Sequence, residues 1–339
     1  MEETLRRRRR PIVTVVLLVP ASLLCLAYAL NASWLAPAPQ GRPVVIAHRG
    51  VAQQFDRTGL GRQDCTATRI FDPVHPFLEN TLASIREATR LGADIVEVDV
   101  APTRDQRIVL FHDWTVDCRT DGRGETRAHS LAELKALDIG YGYTADGGRT
   151  FPFRGRGIGL MPTLEEALRA FPEQRLLINF KSRDPWEADA VAAAFRRAGV
   201  AIDEKYSFYG VKAPLDRMRR YAPNSWMFDL DRMKACSLGY LKWGWAGHVA
   251  EACRGGTIAV PVNYRRLAWG WPNRFLARMA SAGTRVIISG EMIDGKAPPG
   301  LARPDQIDAI PPRFRGYLWV EDIYALRSHL PMRDRAGTP

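Results

Sequence analysis

Cysteine pairs at CxxC spacing are missing from this chain, which removes the usual scaffold of a structural zinc site. No short internal repeat and no long low-complexity tract interrupts it, so the bulk is expected to be folded and globular. A basic stripe interleaved with stacking aromatics is also absent. The arginines are scattered, and no nucleic acid is expected as a partner. Positive charge is nevertheless in excess: the net charge is +11, and Arg6 to Arg10 against Glu2 and Glu3 supply +3 of it, leaving +8 for the rest. An excess of that size steers anionic lipid headgroups or small phosphorylated molecules, and charge alone does not choose between them.

There is one long hydrophobic run. Residues 11–30 carry no charge and follow five arginines, and such a stretch is long enough to cross a hydrocarbon core of about 30 Å. Arginines just before an apolar span stay in the cytoplasm, so residues 1–10 read as a basic cytoplasmic head. Everything after about residue 31 then lies on the non-cytoplasmic side, periplasmic or extracellular. Ala27 and Ala29 give a small-x-small pattern, so the run is a transmembrane anchor or a cleaved signal peptide. Pro20 and the missing polar face argue against a helix buried in the globular part. Residues 31–42 read as an extended tether, 43–330 as one domain, and 331–339 as a frayed tail. Setting aside Cys25 inside the run, Cys65, Cys118, Cys236 and Cys253 make an even number in an oxidising compartment. The favoured pairing is Cys65 with Cys118 and Cys236 with Cys253, because the first two flank long loops and the second two are close in sequence. Four free buried thiols are the alternative.

From residue 43 short β-branched runs alternate with stretches of helical period, the pattern of a parallel sheet covered by helices. Strands are expected at 43–48, 93–100, 107–112, 175–180, 205–210, 225–230, 256–261 and 284–289, with 316–321 a candidate ninth. Ser130 before Glu133 and Thr163 before Glu166 form capping boxes, and Asn80 or Thr81 caps another helix. Further helices are expected at 186–199, 213–221 and 271–282. The stretches 51–78 and 139–162 fit no regular element. Loops of that length in a compact domain are usually functional, and on a barrel they overhang the strand ends where chemistry is placed.

The chemical residues cluster at those strand ends. His48 and Arg49 close the first strand, and Gly50 removes a side chain where something approaches the backbone. Glu97 and Asp99 stand two apart on one strand, hence on one face, which costs repulsion and desolvation unless a cation neutralises them. Oxygen ligands suit a hard divalent ion, Mg²⁺ or Ca²⁺. His112 and Asp113 end the third strand. Singly, each histidine could be a satisfied core group and each acid the partner of an arginine. The combination is what points to a site.

His48-Arg49-Gly50, Glu79-Asn80-Thr81, Glu97-Val98-Asp99 and His112-Asp113, in that order, resemble the glycerophosphodiester phosphodiesterase family. The similarity continues through Gly92-Ala93-Asp94, Thr103, Asp121-Gly122-Arg123-Gly124, Leu131 to Leu134 and Met161 to Leu168, and is specific over about residues 43–181. The resemblance implies a TIM-like (β/α)8 barrel that hydrolyses a phosphodiester with one divalent cation and His48 and His112 as general acid and base. In the family a glycerol hydroxyl can itself attack, giving a cyclic phosphate before water completes hydrolysis. Arg49 and Lys181 are the implied phosphate contacts, and Glu97, Asp99, Glu79 and Asn179 the implied metal ligands. The family's Glu-x-Lys strand motif reads Asn179-Phe180-Lys181 here, a charged ligand turned into a neutral amide. Substrates in view are glycerophosphodiesters or lysophospholipids, the latter encouraged by the apolar run and by Trp243, Trp245, Trp269 and Trp271, which core packing also explains. A phospholipase D-like or sphingomyelinase D-like enzyme and a non-catalytic phosphate-binding module are the alternatives. For topology, a reporter fused after residue 339 is expected to be active outside the cytoplasm, and a cytoplasmic signal would overturn the export reading.

Overall fold

Parallel strands need a long crossover between them, whereas antiparallel ones can be joined by a tight turn. That rule sorts the nine strands of the computed structural model, which describes residues 22–61, 64–296 and 298–331. β1 (Val44–Ala47), β2 (Ile95–Pro102), β4 (Arg175–Phe180), β5 (Tyr206–Gly210), β6 (Met227–Asp229), β7 (Thr257–Pro261), β8 (Arg285–Ser289) and β9 (Tyr317–Val320) are the staves of a parallel barrel. Their order is β6-β5-β4-β2-β1-β9-β8-β7. β3 (Ile108–Leu110) is not a stave. It pairs antiparallel with β2, Val100 opposite Leu110, because Thr103 to Arg107 leave room only for a turn. Its place is taken by the ninth candidate, β9, registered between β1 and β8 with Val44 opposite Tyr317 and Ile288 opposite Leu318. β6 and β7 share no ladder among the described residues, so the TIM-like ring is nearly closed, with one seam.

Seven buried side chains fill the inside of the ring: Ile46, Ile95, Leu177, Tyr209, Trp226, Phe228 and Ile287. Alternate residues of the same strands face outward onto the helices, as Val45, Val96, Leu176, Ile178 and Phe208 do. Burying one such side chain is worth about 1.5–3 kcal/mol, so the two-residue alternation fixes which face turns inward. Helices α1 (Leu82–Arg90), α2 (Leu131–Ala136) and α3 (Leu164–Ala170) start at Thr81, Ser130 and Thr163, each closed by a reciprocal capping box. The expected helices 186–199, 213–221 and 271–282 are α4 (Trp186–Ala198), α5 (Lys212–Met218) and α7 (Asn273–Ser281). A helix not anticipated, α6 (Leu230–Trp243), begins where Asp229 accepts a hydrogen bond from the Arg232 backbone N–H. The two long loops pack into a second apolar cluster with β3, through Ile70, Leu78, Val109, Phe111, Tyr143 and Phe153 among others. Within it the Asp138 carboxylate gathers the N–H groups of Gly140 and Gly157 at 3.0 and 2.9 Å, which organises the glycine-rich stretch.

The basic head and residues 11–21 of the apolar run lie outside the described residues, as do 332–339 of the tail. Residues 22–31 are helical. Among the described residues no helix is long and apolar enough to cross a membrane. The segment read as a tether lies against the barrel: Ala32 and Ala36 are buried, and Ser33 Oγ accepts a hydrogen bond from the Asn273 N–H at 2.9 Å. Cys65 is bonded to Cys118 and Cys236 to Cys253, closing separations of 53 and 17 residues. Chain-entropy reasoning assigns about 4 and about 3 kcal/mol to loops of those sizes. Replacing Cys236 and Cys253 together by serine is expected to lower the unfolding free energy by about 3 kcal/mol in urea titration; an unchanged midpoint would refute that contribution.

Candidate active site

The first strand ends in a bend that only particular residues tolerate. Arg49 and Gly50 both have positive φ, 59° and 76°. A Cβ on Gly50 would meet Ser84 Oγ at 2.7 Å, so glycine lets α1 start directly against the strand end. The bend turns the Arg49 N–H onto Glu97 Oε2 at 2.9 Å. The Glu79-Asn80-Thr81 stretch divides its work. Thr81 caps α1; Asn80, itself at φ 58°, locks Asp99 by donating to Oδ2 at 3.1 Å and accepting from the Asp99 N–H at 3.0 Å. Glu79 takes Arg49 Nη1 at 3.0 Å and Arg119 Nη1 at 3.3 Å. Expected as a metal ligand, Glu79 is thus already satisfied by two guanidinium groups.

Glu97 and Asp99 project from β2 with 0% exposure. All four of their oxygens have donors. Glu97 Oε1 accepts from Tyr209 OH at 2.7 Å, and Oε2 from Arg49 N. Asp99 Oδ1 receives Asn179 Nδ2 at 2.9 Å and Lys181 Nζ at 3.0 Å, while Arg49 Nε lies 3.2 Å from Oδ2. Lys181 also donates to the His112 carbonyl at 2.6 Å. Burial and the neighbouring Asp99 raise the Glu97 pKa to about 7. Burial would push Asp99 up too, yet Lys181 and Arg49 hold it well below the usual carboxylate range.

A divalent ion does not fit this arrangement as it stands. Asn179 turns its amide N–H onto Asp99 rather than supplying a third carboxylate, and Lys181 already stands on the oxygen an ion would need. Among the described residues no group of three or more histidine, cysteine or acidic side chains is arranged to hold a metal. Charge is nearly balanced without one, since Glu79, Glu97, Asp99, Asp113 and Glu321 are met by Arg49, Arg57, Arg119 and Lys181, with His48 as a fifth positive group when protonated.

Each histidine has its own carboxylate. His48 Nδ1 lies 2.8 Å from Glu321 Oε2, leaving Nε2 toward the site, 3.8 Å from Glu97. Burial lowers the His48 pKa, but Glu321 and Glu97 outweigh it and the net direction is up. His112 Nδ1 lies 2.6 Å from Asp113, whose other oxygen is held by Arg119 at 2.8 Å. Burial, then Arg49 and Lys181, bring His112 down to about 4. Four residues here escaped the sequence reading: Glu321, Arg57, Arg119 and Tyr209. Glu321 follows the last residue of β9, and treating that run as a stave would have put it on the rim beside His48. Tyr209 sits at an inward position of an expected strand. Arg57 and Arg119 lie in loops with no local signal.

The sequence profile of the Glycerophosphoryl diester phosphodiesterase family matches residues 48–207. A glycerophosphodiester phosphodiesterase of Caldanaerobacter subterraneus is 37% identical over 103 residues, covering 30% of this chain and 39% of its own length. An uncharacterized Mycobacterium tuberculosis protein, Rv2277c, is 30% identical over 168 residues, 47% of this chain and 53% of its length. The chain therefore spans about two-fifths to a half of these relatives. The solved glycerophosphoryl diester phosphodiesterase domain of that mycobacterial protein has a TM-score of 0.60 at 19% identity, covering 85% of this chain and 99% of the domain. An Oleispira antarctica phosphodiesterase, solved with the product sn-glycerol-3-phosphate, has a TM-score of 0.51 at 19% identity, over 85% of this chain and 95% of that one. At these identities the structural likeness shows the fold.

Glu321→Gln is expected to lower the His48 pKa, read as the imidazole titration by NMR, and to cut kcat by roughly tenfold or more, as losing an orienting partner does. An unmoved titration would remove Glu321 from its positioning role.

Proposed function

From the match of residues 48–207 to the glycerophosphodiester phosphodiesterase profile and the site just described, we propose that the chain is an enzyme of that family and hydrolyses glycerophosphodiesters with His112 as general base and His48 as general acid. One observation carries the assignment: two imidazoles, each oriented by a carboxylate, are pushed in opposite directions by their surroundings. His112, down at about 4, is neutral at pH 7 and takes a proton from the attacking water or glycerol hydroxyl. His48, pushed upward by Glu321 and Glu97, holds a proton to higher pH than His112 does and is the ring placed to deliver one from Nε2 to the departing alkoxide. Glu321 and Asp113 hold the rings in the required orientation. Arg49 and Lys181 meet the non-bridging oxygens, where charge increases toward the transition state.

Enzymes of this family generally depend on a divalent metal such as Ca²⁺. The expected Mg²⁺ or Ca²⁺ has no step in the mechanism proposed for this chain, because Asn179, Lys181 and Arg49 leave it no ready cage. The fixed cations on Asp99 take the electrostatic part instead. Within the substrate class, lysophospholipids are the second reading, favoured by an apolar cavity of about 240 Å³ beside β7.

Histidine-to-alanine changes at 48 or 112 are each expected to cut turnover by about 10²–10⁴-fold while leaving the fold intact by circular dichroism; full activity in either would reject the acid-base pair. The kcat/KM profile is expected to rise through about pH 4 as His112 loses its proton and to fall as His48 loses its own, at a pH above its ordinary 6.5. Turnover is expected to survive EDTA, whereas Lys181→Met loses roughly 10²–10³-fold. Chelation that abolishes activity, with recovery on Ca²⁺, would show an ion displacing Lys181. Product analysis separates the substrates: glycerol 3-phosphate marks a glycerophosphodiester, a lysophosphatidate a lysolipid, and ceramide phosphate the sphingomyelinase D-like alternative. Phosphate binding without any turnover would leave the non-catalytic alternative.

A further inference from the structure

A surface helix ordinarily turns charged and polar groups outward. The second half of α6 does the opposite. Leu238, Leu241 and Trp243, with Trp245 just beyond and Tyr264, Leu267 and Trp269 from the segment after β7, are each at least 40% exposed. Scattered apolar residues on a surface need no explanation, but a contiguous group of this kind marks an interaction site. Trp269 ties the two elements together: its Nε1 donates to the Leu241 carbonyl at 2.9 Å, and its own carbonyl accepts from Tyr240 OH at 2.7 Å. Lys242 lies 5.1 Å over the Trp243 ring. Between the two elements opens the cavity of about 240 Å³, lined almost wholly by apolar groups including Leu238, Leu241, Val260, Tyr264, Leu267 and Ala268. It lies along the edge of β7 that no strand covers among the described residues, where Ser237 Oγ donates to the Ala259 carbonyl at 3.0 Å.

What covers this face is indicated by where the apolar N-terminal run ends. Its described end, the helix at 22–31, is fixed to the same surface: Asn31 Nδ2 donates to the Trp245 carbonyl at 2.6 Å, and Arg278 reaches the Leu30 carbonyl at 2.7 Å and Asn31 Oδ1 at 3.0 Å. Leu23, Leu24, Leu26 and Tyr28 of that helix are exposed, and so is Trp34 just after it. The uncharged run and the tryptophan face thus meet at one place, with Lys234, Lys242 and Arg266 exposed nearby. Tryptophan and tyrosine favour the headgroup layer of a bilayer, where an apolar ring and a polar edge are both satisfied, and basic side chains favour anionic lipid.

We propose that the face formed by Leu241, Trp243, Trp245, Leu267 and Trp269 seats in the interfacial layer of the bilayer that receives residues 11–30, so that the neighbouring cavity opens toward lipid. This rests on the export and anchoring reading of the N-terminal run. It places the β7 side of the barrel, rather than the β1–β2 side, against the membrane.

The test uses the full chain with Cys25→Ser, reconstituted in phosphatidylcholine–phosphatidylglycerol vesicles carrying acyl-chain bromine as a quencher. One fluorophore is attached in turn at Leu23→Cys, Leu241→Cys or Arg90→Cys, the last on the helix outside β2 at the far side of the ring. Labels at 23 and 241 are expected to be quenched several-fold more than the label at 90, with activity on soluble glycerophosphodiester unchanged. Quenching at 23 with 241 behaving like 90 would overturn the seating face and leave the anchor standing. No quenching at 23 would overturn the anchor and the face with it. Shielding of 241 that grows with protein concentration in detergent, without vesicles, would assign the face to a second copy of the chain and overturn the lipid proposal.

Discussion

Two carboxylates with no exposed surface, Glu97 and Asp99, side by side on one strand, are the constraint around which the site is arranged. Buried charge of one sign is tolerated only when donors and opposite charges reach it, so the surrounding elements have to converge. β1 contributes its terminal N–H through the Arg49 bend, β4 contributes Asn179 and, just past its end, Lys181, β5 contributes Tyr209, and the loop before α1 contributes Asn80. Removing any one of these leaves an acid partly unpaired at the centre of the barrel mouth. The same demand explains why the strand ends are not interchangeable with ordinary loops, and why two residues accept left-handed backbone there without being glycine.

The histidines sit at the edge of this arrangement and inherit its field. Arg49 and Lys181 balance Asp99, and in doing so they leave His112 facing net positive charge. His48, on the other side of Arg49, has Glu321 against its far nitrogen and Glu97 near the other. A single asymmetric distribution of fixed charge therefore gives one imidazole that resists protonation and one that holds it. No separate device is needed for either ring.

Much of this was legible in the linear chain, and the parts that were not have identifiable causes. Motif residues within 48–207 announce themselves because each is demanded locally: glycine at a positive φ, asparagine locking a strand, threonine capping a helix. The alternation of β-branched residues marked the strands but not their partners. Residues 107–112 read as a stave because periodicity says nothing about direction; only the five residues from Thr103 to Arg107, too few for a crossover, reveal a hairpin. Residues 316–321 stood as a surplus candidate for the same reason, and Glu321 was lost with them. Arg57 and Arg119 reach the site from irregular segments, and no period or cap singles out a loop arginine. α6 escapes a reading by period because Leu238, Leu241 and Trp243 of its second half face outward, which interrupts the polar face that Asp231, Arg232 and Lys234 begin. The replacement of a family glutamate by Asn179 was visible from the start, but its meaning was not, since only the geometry shows the amide turned onto Asp99 beside Lys181.

Cys118 and Arg119 are consecutive, and this adjacency couples covalent chemistry to electrostatics. Arg119 holds Asp113 with Nε and Glu79 with Nη1, and its Nη2 rests on Thr66 Oγ1 next to Cys65. The bridge between the two cysteines draws together the two loop strands that present and receive this guanidinium. Closing that covalent link and seating the guanidinium therefore favour one another, so the counter-charge behind His112 depends on a bond made two loops away from the strand that carries the imidazole.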